Sequence, residues 1–261
     1  MSSASAPVAL VTGASSGIGR AIALDLARRG YSLVVTARRE ELLHTLSDEI
    51  ESRWHRPAKW IAADLCKEEE LGRVAAEAGE GIDVLVANAG FSTRGLFADL
   101  PLENEIREIQ LNILSTVRLC HAALPAMRTR GSGRILITSS AASFQPLPGL
   151  AVYSATKGFL TAFAQSLDGE VRPFGVTVTC LAPGYVLRPG VPRRGPAWLW
   201  MRNDDVARKA VAGMLRGQQL VVPGLPWKVV SVLAPRVPRA LTRTVARSVG
   251  RRMASPPQDT S

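Results

Sequence analysis

Residues 8–19 read VALVTGASSGIG, and their reading decides the fold. Val8–Thr12 lacks polar alternation, as a strand buried on both faces of a parallel sheet should. Gly13 permits a tight turn out of that strand, Gly17 lets backbone approach a phosphate, and Gly19 lets the next helix pack closely on the sheet. Backbone N–H groups at the start of that helix would then face a pyrophosphate. The spacing is G-x-x-x-G-x-G, not the G-x-G-x-x-G of the commoner dinucleotide fingerprint. Glycines also serve as plain turn residues. Placement after an apolar strand and before a helix makes this stretch a nucleotide-site candidate.

Outward from this turn, short apolar runs alternate with amphipathic segments. Further strands are expected at Ser32–Thr36, Lys59–Ala63, Asp83–Ala87, Arg134–Thr138, Val176–Leu181 and Leu220–Val222. Helical patterns fall near 17–29, 40–53, 67–78, 103–129, 151–172 and 204–216. This alternation predicts an α/β fold with a doubly wound parallel sheet and helices on both faces. Residues 1–224 read as one domain, 225–253 as an extension and 254–261 (ASPPQDTS) as a fraying tail.

The 261-residue chain is 46% hydrophobic and 21% charged, the balance of a soluble globular protein with ample core material. No uninterrupted apolar run approaches the ~18–20 residues that span a bilayer. The N-terminus does not read as a secretory signal, and the expectation is a cytoplasmic protein. Cys66, Cys120 and Cys180 are odd in number and widely spaced, which suits reduced structural thiols rather than disulfides or a metal site. His44, His55 and His121 share no ligand spacing. The net charge is +10, but residues 225–253 hold seven Lys or Arg and no acid, so the body is only mildly basic. No zinc spacing or RNA-binding aromatic motif accompanies the charge, and no nucleic-acid partner is expected.

Residues 152–159, VYSATKGF, set Tyr153 and Lys157 four apart. On a helix, i and i+4 share a face about 5–6 Å apart at Cβ. Free tyrosine has a pKa of about 10, and a nearby ammonium favours the phenolate. A polar pair facing water is the other reading of the spacing. TGASSGIG, NAG at 88–90, a serine thirteen residues before Tyr153, YxxxK at 153–157 and PG at 183–184 occur together and in order. In this the chain resembles the short-chain dehydrogenase/reductase family over about residues 1–216.

The resemblance implies a seven-stranded parallel Rossmann-type sheet, a bound NAD or NADP, and hydride transfer between carbonyl and alcohol. It implies that Tyr153 transfers the proton, Lys157 tunes it and binds the nicotinamide ribose, Ser140 (not Ser139) bonds the substrate oxygen, and Asn112 holds a water relayed to the lysine. Cofactor contacts are implied at Gly13, Ser15, Ser16, Gly17, Ile18 and Gly19, at Asp64 and Leu65 beside the adenine, and at Asn88, Ala89 and Gly90. Tyr153, Lys157, Pro183, Gly184 and Val186 complete that set. The surroundings of Asn112, QLNILST, depart from the family's usual pattern, and Arg188 stands where a threonine is usual, so no contact is carried over to it. The Tyr–Lys interval does not match the family's enoyl reductases, and the chain is short for its epimerases and dehydratases.

After the second expected strand comes TARRE, residues 36–40, with Arg38 and Arg39 where an NAD-preferring site places an acid. Arginine's planar fork suits a 2′-phosphate. NADP(H) is therefore expected over NAD(H), with Arg38 the chief contact and Arg39 beside it. Trp198, Leu199, Trp200 and Met201 follow a Pro/Gly-rich loop, and with Phe91, Phe144, Leu147 and Tyr185 they would line an apolar pocket. A bulky, hydrophobic ketone or secondary alcohol is the expected substrate; packing of the cluster on the protein body or a neighbouring subunit is the alternative. Helices 103–129 and 151–172 resemble the pair that builds the family's homodimers and homotetramers. In the extension, Arg239, Arg243, Arg247 and Arg251 recur every four residues, with Val237, Leu241, Val245 and Val249 on one side. Such a basic amphipathic helix can lie weakly on an anionic membrane or pack its stripe on the domain. A non-catalytic NADP-sensing or scaffold protein is the alternative function on this fold.

Overall fold

A computed structural model describes residues 6–187, 193 and 195–236. Arg188, the basic helix expected within 237–253 and the tail 254–261 lie outside the described residues.

The strands are β1 (Val8–Thr12), β2 (Ser32–Ala37), β3 (Ala58–Ala62), β4 (Val84–Ala87), β5 (Gly133–Thr138), β6 (Val176–Leu181), β7 (Tyr185–Val186), β8 (Trp200–Met201) and β9 (Leu220–Val221). Seven of them form one sheet in the order β3-β2-β1-β4-β5-β6-β9, every neighbouring pair parallel. In register, Val11 stands between Val35 and Val86, and Ile137 pairs with Cys180. The expected doubly wound, seven-stranded fold is thus present. The expected strands match within a residue or so at each end.

The helices are α1 (Gly17–Arg28), α2 (Glu40–Trp54), α3 (Glu68–Gly79), α4 (Leu102–Ile109), α5 (Ser115–Arg130), α6 (Ala151–Val171), α7 (Asn203–Leu215) and α8 (Leu225–Leu233). Successive strand residues point to opposite faces, and the strands feed two cores accordingly. Ala9, Val11, Leu33, Val35, Val84 and Val86 join residues of α1, α2 and α7 on one face. Leu10, Val34, Leu85, Ile135 and Ile137 join α3, α5 and α6 on the other. A fully buried leucine or isoleucine contributes roughly 1.5–3 kcal/mol, so the two-sided core rewards near-continuous apolar strands. The buried thiols belong to this core. Burial pushes the Cys120 thiol up to about 12, and it pushes Cys180 up to about 11 against the opposing hydrogen bond with Thr161.

One expectation is corrected. The helical pattern 103–129 predicts a single helix, whereas the chain forms α4, a π-helical turn at Gln110–Leu114, and then α5. The wider turn admits an extra residue at the point where Asn112 is fully buried. A second small sheet, β7 with β8, was not signalled by any run of strand-forming residues.

Candidate active site

Strand order reverses between β1 and β4: the chain moves outward through β2 and β3, then returns to the other side of β1. Open α/β sheets bind ligands in the crevice at the carboxyl ends of strands flanking such a point. The turn 13–16, the loop from Asn88, the strand end at Ser139–Ser140 and the Pro183–Gly184 loop all leave the sheet there.

The glycine turn has no room for side chains. Gly13 sits at φ +67°, where L side chains are strained. A Cβ on Gly19 would meet the Gly13 carbonyl oxygen at 2.4 Å and Asn88 Nδ2 at 2.5 Å. Thr12 Oγ1 donates to the Val86 carbonyl and accepts from the amides of Asn88 and Ala89, the latter two at 2.9 Å. Asn88 Nδ2 donates to the Thr12 carbonyl at 3.1 Å, and its Oδ1 accepts from Thr138 Oγ1 at 3.3 Å. Asn88 thus ties β1, β4 and β5 together. A backbone-lined cradle ahead of a helix N-terminus fits a dinucleotide pyrophosphate.

The two arginines after β2 behave differently. Arg39 Nη2 donates to Ser15 Oγ at 2.9 Å and Ser16 Oγ at 2.8 Å, which places its guanidinium over the glycine turn. Arg38 is exposed and has no hydrogen bond or ion pair among the described residues. The geometry therefore brings Arg39 to the turn, where the sequence favours Arg38. Ile18 is partly buried against the first core, and Leu65 is buried in the second. Asp64 accepts from Arg107 Nη2 at 2.6 Å and from the Cys66 amide at 3.1 Å. Arg107, which no sequence motif singles out, fixes the carboxylate.

Lys157 lies on the buried stripe of α6 with Leu160, Ala164 and Leu167. Its Nζ donates to the Thr138 carbonyl at 2.9 Å and stands 5.8 Å from the Tyr153 ring centroid. The pair is therefore not a solvated couple. Tyr153 is half-buried, one turn earlier. Ser139 is buried, donating to the Lys157 carbonyl at 2.8 Å and bonded to Thr161. Ser140 is only partly covered, and its Oγ accepts from the Ala142 amide at 3.1 Å, capping a short 3₁₀ turn. Of the two serines, the accessible one is that at the thirteen-residue offset.

Asn112 does not stand at the surface. Its Oδ1 accepts from the Phe91 amide at 3.2 Å, and its Nδ2 donates to the Phe91 carbonyl and Thr156 Oγ1, both at 3.1 Å. A Cβ on Gly90 would meet Asn112 Oδ1 at 2.7 Å and Lys157 Nζ at 3.5 Å. Four residues earlier, Glu108 Oε2 accepts from the amide and hydroxyl of Thr93, each at 2.8 Å. Burial holds the Glu108 carboxyl above its ordinary range, with the Thr93 bonds, and more weakly the Lys157 charge, opposing. Glu108 and Asn112 together pin the loop after β4. The asparagine was legible in the sequence; the glutamate, a common residue on an amphipathic helix, was not.

The opposite wall is aromatic. Tyr185 and Trp200 lie on the paired strands β7 and β8 with ring centroids 5.0 Å apart, and Trp227 of α8 meets Tyr185 edge-on at 4.9 Å. Trp227 Nε1 donates to the Leu199 carbonyl at 3.0 Å. A Cβ on Gly184 would fall 1.9 Å from the Trp227 ring, so glycine there is what admits the indole. Val186 lies on β7 and packs against the first core, while the Pro183 carbonyl accepts from the Ala141 amide at 2.8 Å. In the sequence Trp227 stands in PWKVVSVLAP, residues 226–235, a segment that could cover the pocket or contribute to a membrane-facing patch.

This geometry has known counterparts. The chain is 38% identical over 195 residues to a very-long-chain 3-oxoacyl-CoA reductase of Bos taurus; that stretch is 73% of this chain and 62% of the relative, so the chain spans under two thirds of that protein's length. A solved short-chain dehydrogenase from Sphingobium yanoikuyae in complex with NADPH superposes with a TM-score of 0.78 at 27% identity, covering 98% of each chain. The bulky-bulky ketone specific alcohol dehydrogenase from Comamonas testosteroni superposes with a TM-score of 0.77 at 26% identity, covering 98% of this chain and 96% of that one. The sequence pattern described as short chain dehydrogenase matches residues 7–194. That match takes in the first six strands of the main sheet and every residue of the crevice before the aromatic wall, and the chain belongs to the short-chain dehydrogenase/reductase family of oxidoreductases.

Proposed function

We propose that the protein is an NADP(H)-dependent oxidoreductase acting at the carbonyl or hydroxyl carbon of a bulky, hydrophobic ketone or secondary alcohol. The observation that carries the reading is the placement of Lys157: buried, held by the Thr138 carbonyl, one helical turn from Tyr153 and against Gly90 of the loop after β4. The nicotinamide group, when bound, supplies or accepts the hydride. The chain's own residues do the rest. Gly13, Gly17 and Gly19 receive the pyrophosphate on backbone N–H groups, and Arg39 with Arg38 takes the 2′-phosphate. The Tyr153 hydroxyl donates a proton to the carbonyl oxygen in the reductive direction and accepts it in the other. Ser140 Oγ donates a hydrogen bond to that oxygen as negative charge builds on it. Lys157 keeps a positive charge beside the phenol, and Asn112 holds the backbone next to Lys157 rather than touching substrate.

The aromatic wall of Tyr185, Trp200 and Trp227 supports a bulky apolar substrate, as does the resemblance to an alcohol dehydrogenase specific for bulky-bulky ketones. NADPH in the Sphingobium relative and the arginines at 38 and 39 support the cofactor choice. The exposed apolar residues Leu102, Ile106, Ile109 and Leu114 along α4 and the π turn support a homodimer or homotetramer through these helices. We take residues 1–224 as the oxidoreductase domain and 225–253 as its extension. The test is consumption of NADPH with a panel of bulky ketones that includes a long-chain 3-oxoacyl thioester. Turnover of one class over small hydroxy acids is expected; cofactor binding with no turnover on any would favour the sensing or scaffold alternative.

A further inference from the structure

Helix α8 presents a second face that the crevice does not use. On its inner side Trp227 packs on Gly184 and Tyr185 and bonds to Leu199. On its outer side Leu225 is 75% exposed, Val229 49%, Val232 53% and Leu233 55%. The spacing 225, 229, 232, 233 is one stripe of an α-helix. Lys228 and Arg236 are exposed along the same side, and no acid interrupts the sequence from 225 to 253. Beside the helix runs a groove of about 1020 Å³ lined by Arg208, Lys209, Arg216 and Lys228; its one acid, Asp205, is paired to Arg208. Trp198, next in sequence to the residue that bonds Trp227, is 67% exposed.

We propose that this face docks on the surface of an anionic phospholipid bilayer. The apolar stripe would enter the headgroup–acyl boundary, and the groove cations would meet lipid phosphates. An apolar stripe flanked by lysine and arginine is the pattern of a helix that lies in a membrane interface. No helix among the described residues is long and apolar enough to cross one. Charge decides against the chain's own remaining segment as the occupant of the groove. Residues 237–253 carry five arginines and no acid, and like charges would meet there. Area decides against a second copy. Nine residues make a helix only about 14 Å long, and its four-residue stripe falls well short of the roughly 800 Å² per partner of a stable interface. Because Trp227 joins α8 to the aromatic wall, docking sets the substrate edge against the phase in which hydrophobic carbonyl compounds dissolve. The surface is independent of the catalytic reading, and its binding is measured without turnover.

The experiment is cosedimentation of the full chain with phosphatidylcholine vesicles, alone and with about one-third phosphatidylserine. Wild type should bind the anionic vesicles, release with salt, and bind the neutral ones several-fold more weakly. Val229→Asp with Leu233→Asp should lower the partition coefficient at least about tenfold. Lys209→Glu with Lys228→Glu should abolish the preference for phosphatidylserine. Melting temperature and NADPH titration should stay unchanged in both pairs. Should the aspartates unfold the chain, Val229→Ser with Leu233→Ser reads the same loss. Negligible binding of wild type, equal binding of the stripe variants, or an α8-dependent dimer in the absence of vesicles would each overturn the proposal.

Discussion

Two rims meet at the crevice, and they are built by different means. Around β1, β4 and β5, position is set by backbone and short polar groups: the glycine turn, the Thr12 hydroxyl, the Asn88 amide, and Asn112 and Glu108 pinning the next loop. Around β7, β8 and α8, position is set by the packing of Tyr185, Trp200 and Trp227, with the Trp227 indole bonded to the Leu199 carbonyl. A hydrogen-bonded rim has discrete geometries and fails sharply when one group is removed. A rim of packed rings is held mainly by non-directional burial and degrades by steps. The first rim therefore suits invariant chemistry, and the second suits adjustable specificity.

Substitutions can break this contrast or sharpen it. Removing the phenolic oxygen with Tyr153→Phe should have the largest effect, a loss in kcat of about 10²–10⁴-fold, while the cofactor dissociation constant stays within about twofold. Stopped-flow turnover and fluorescence titration read the two separately, and near-wild-type kcat would refute the assignment. Next in size, Arg39→Ala should weaken NADPH binding by roughly tenfold or more, since a charge-assisted bond contributes about 1.5–3 kcal/mol, with NADH binding little altered. A comparable loss in Arg38→Ala shows that the fork is shared; a loss there alone returns the main contact to Arg38.

On the aromatic rim, Trp227→Ala should destabilise by about 1–3 kcal/mol and raise KM for bulky substrates several-fold with cofactor affinity unchanged. An equal change in NADPH affinity would mean that the two rims are one structure. The smallest effect is expected from Glu108→Gln. The wild-type carboxyl is raised by burial in the folded state, so its contribution to stability is present below the unfolded glutamate range and lost as pH rises through the raised value. Glutamine can still accept from Thr93 and carries no charge. The variant should therefore gain on wild type as pH rises, by no more than about 4 °C in Tm. Thermal scans across that range check the sign.

What the sequence revealed follows the same division. Strands apolar throughout, with the glycine turn placed between strand and helix, specify the sheet because both features are local and periodic. Tyr153, Lys157 and Ser140 were legible as spacings; the structure holds Lys157 on the Thr138 carbonyl at the end of β5, with Tyr153 one helical turn away and Ser140 two residues past that strand end. Arg39 could not be chosen over Arg38, because adjacent residues after a strand differ only in where a flexible side chain comes to rest. The π turn escaped notice because α and π turns share the same amphipathic pattern until one residue is added. Trp227 was hidden for a related reason: its partner Gly184 is 43 positions away, and nothing local says that an indole fills the space of a missing Cβ.

The Thr12 hydroxyl bears on how the site comes into being during folding. Its partners at Val86, Asn88 and Ala89 lie 74 to 77 residues along the chain. The glycine motif is complete in sequence by residue 19, yet its supporting bonds close only after β2, β3 and the three crossover helices α1, α2 and α3 have been laid down. That is a long loop to close, and its closure entropy is met only when β4 adds to the sheet. A nascent chain ending before Val84 would carry every glycine of the motif and none of this support. The cradle is thus a late product of assembly rather than a local fold, and its appearance reports that the two halves of the sheet have joined.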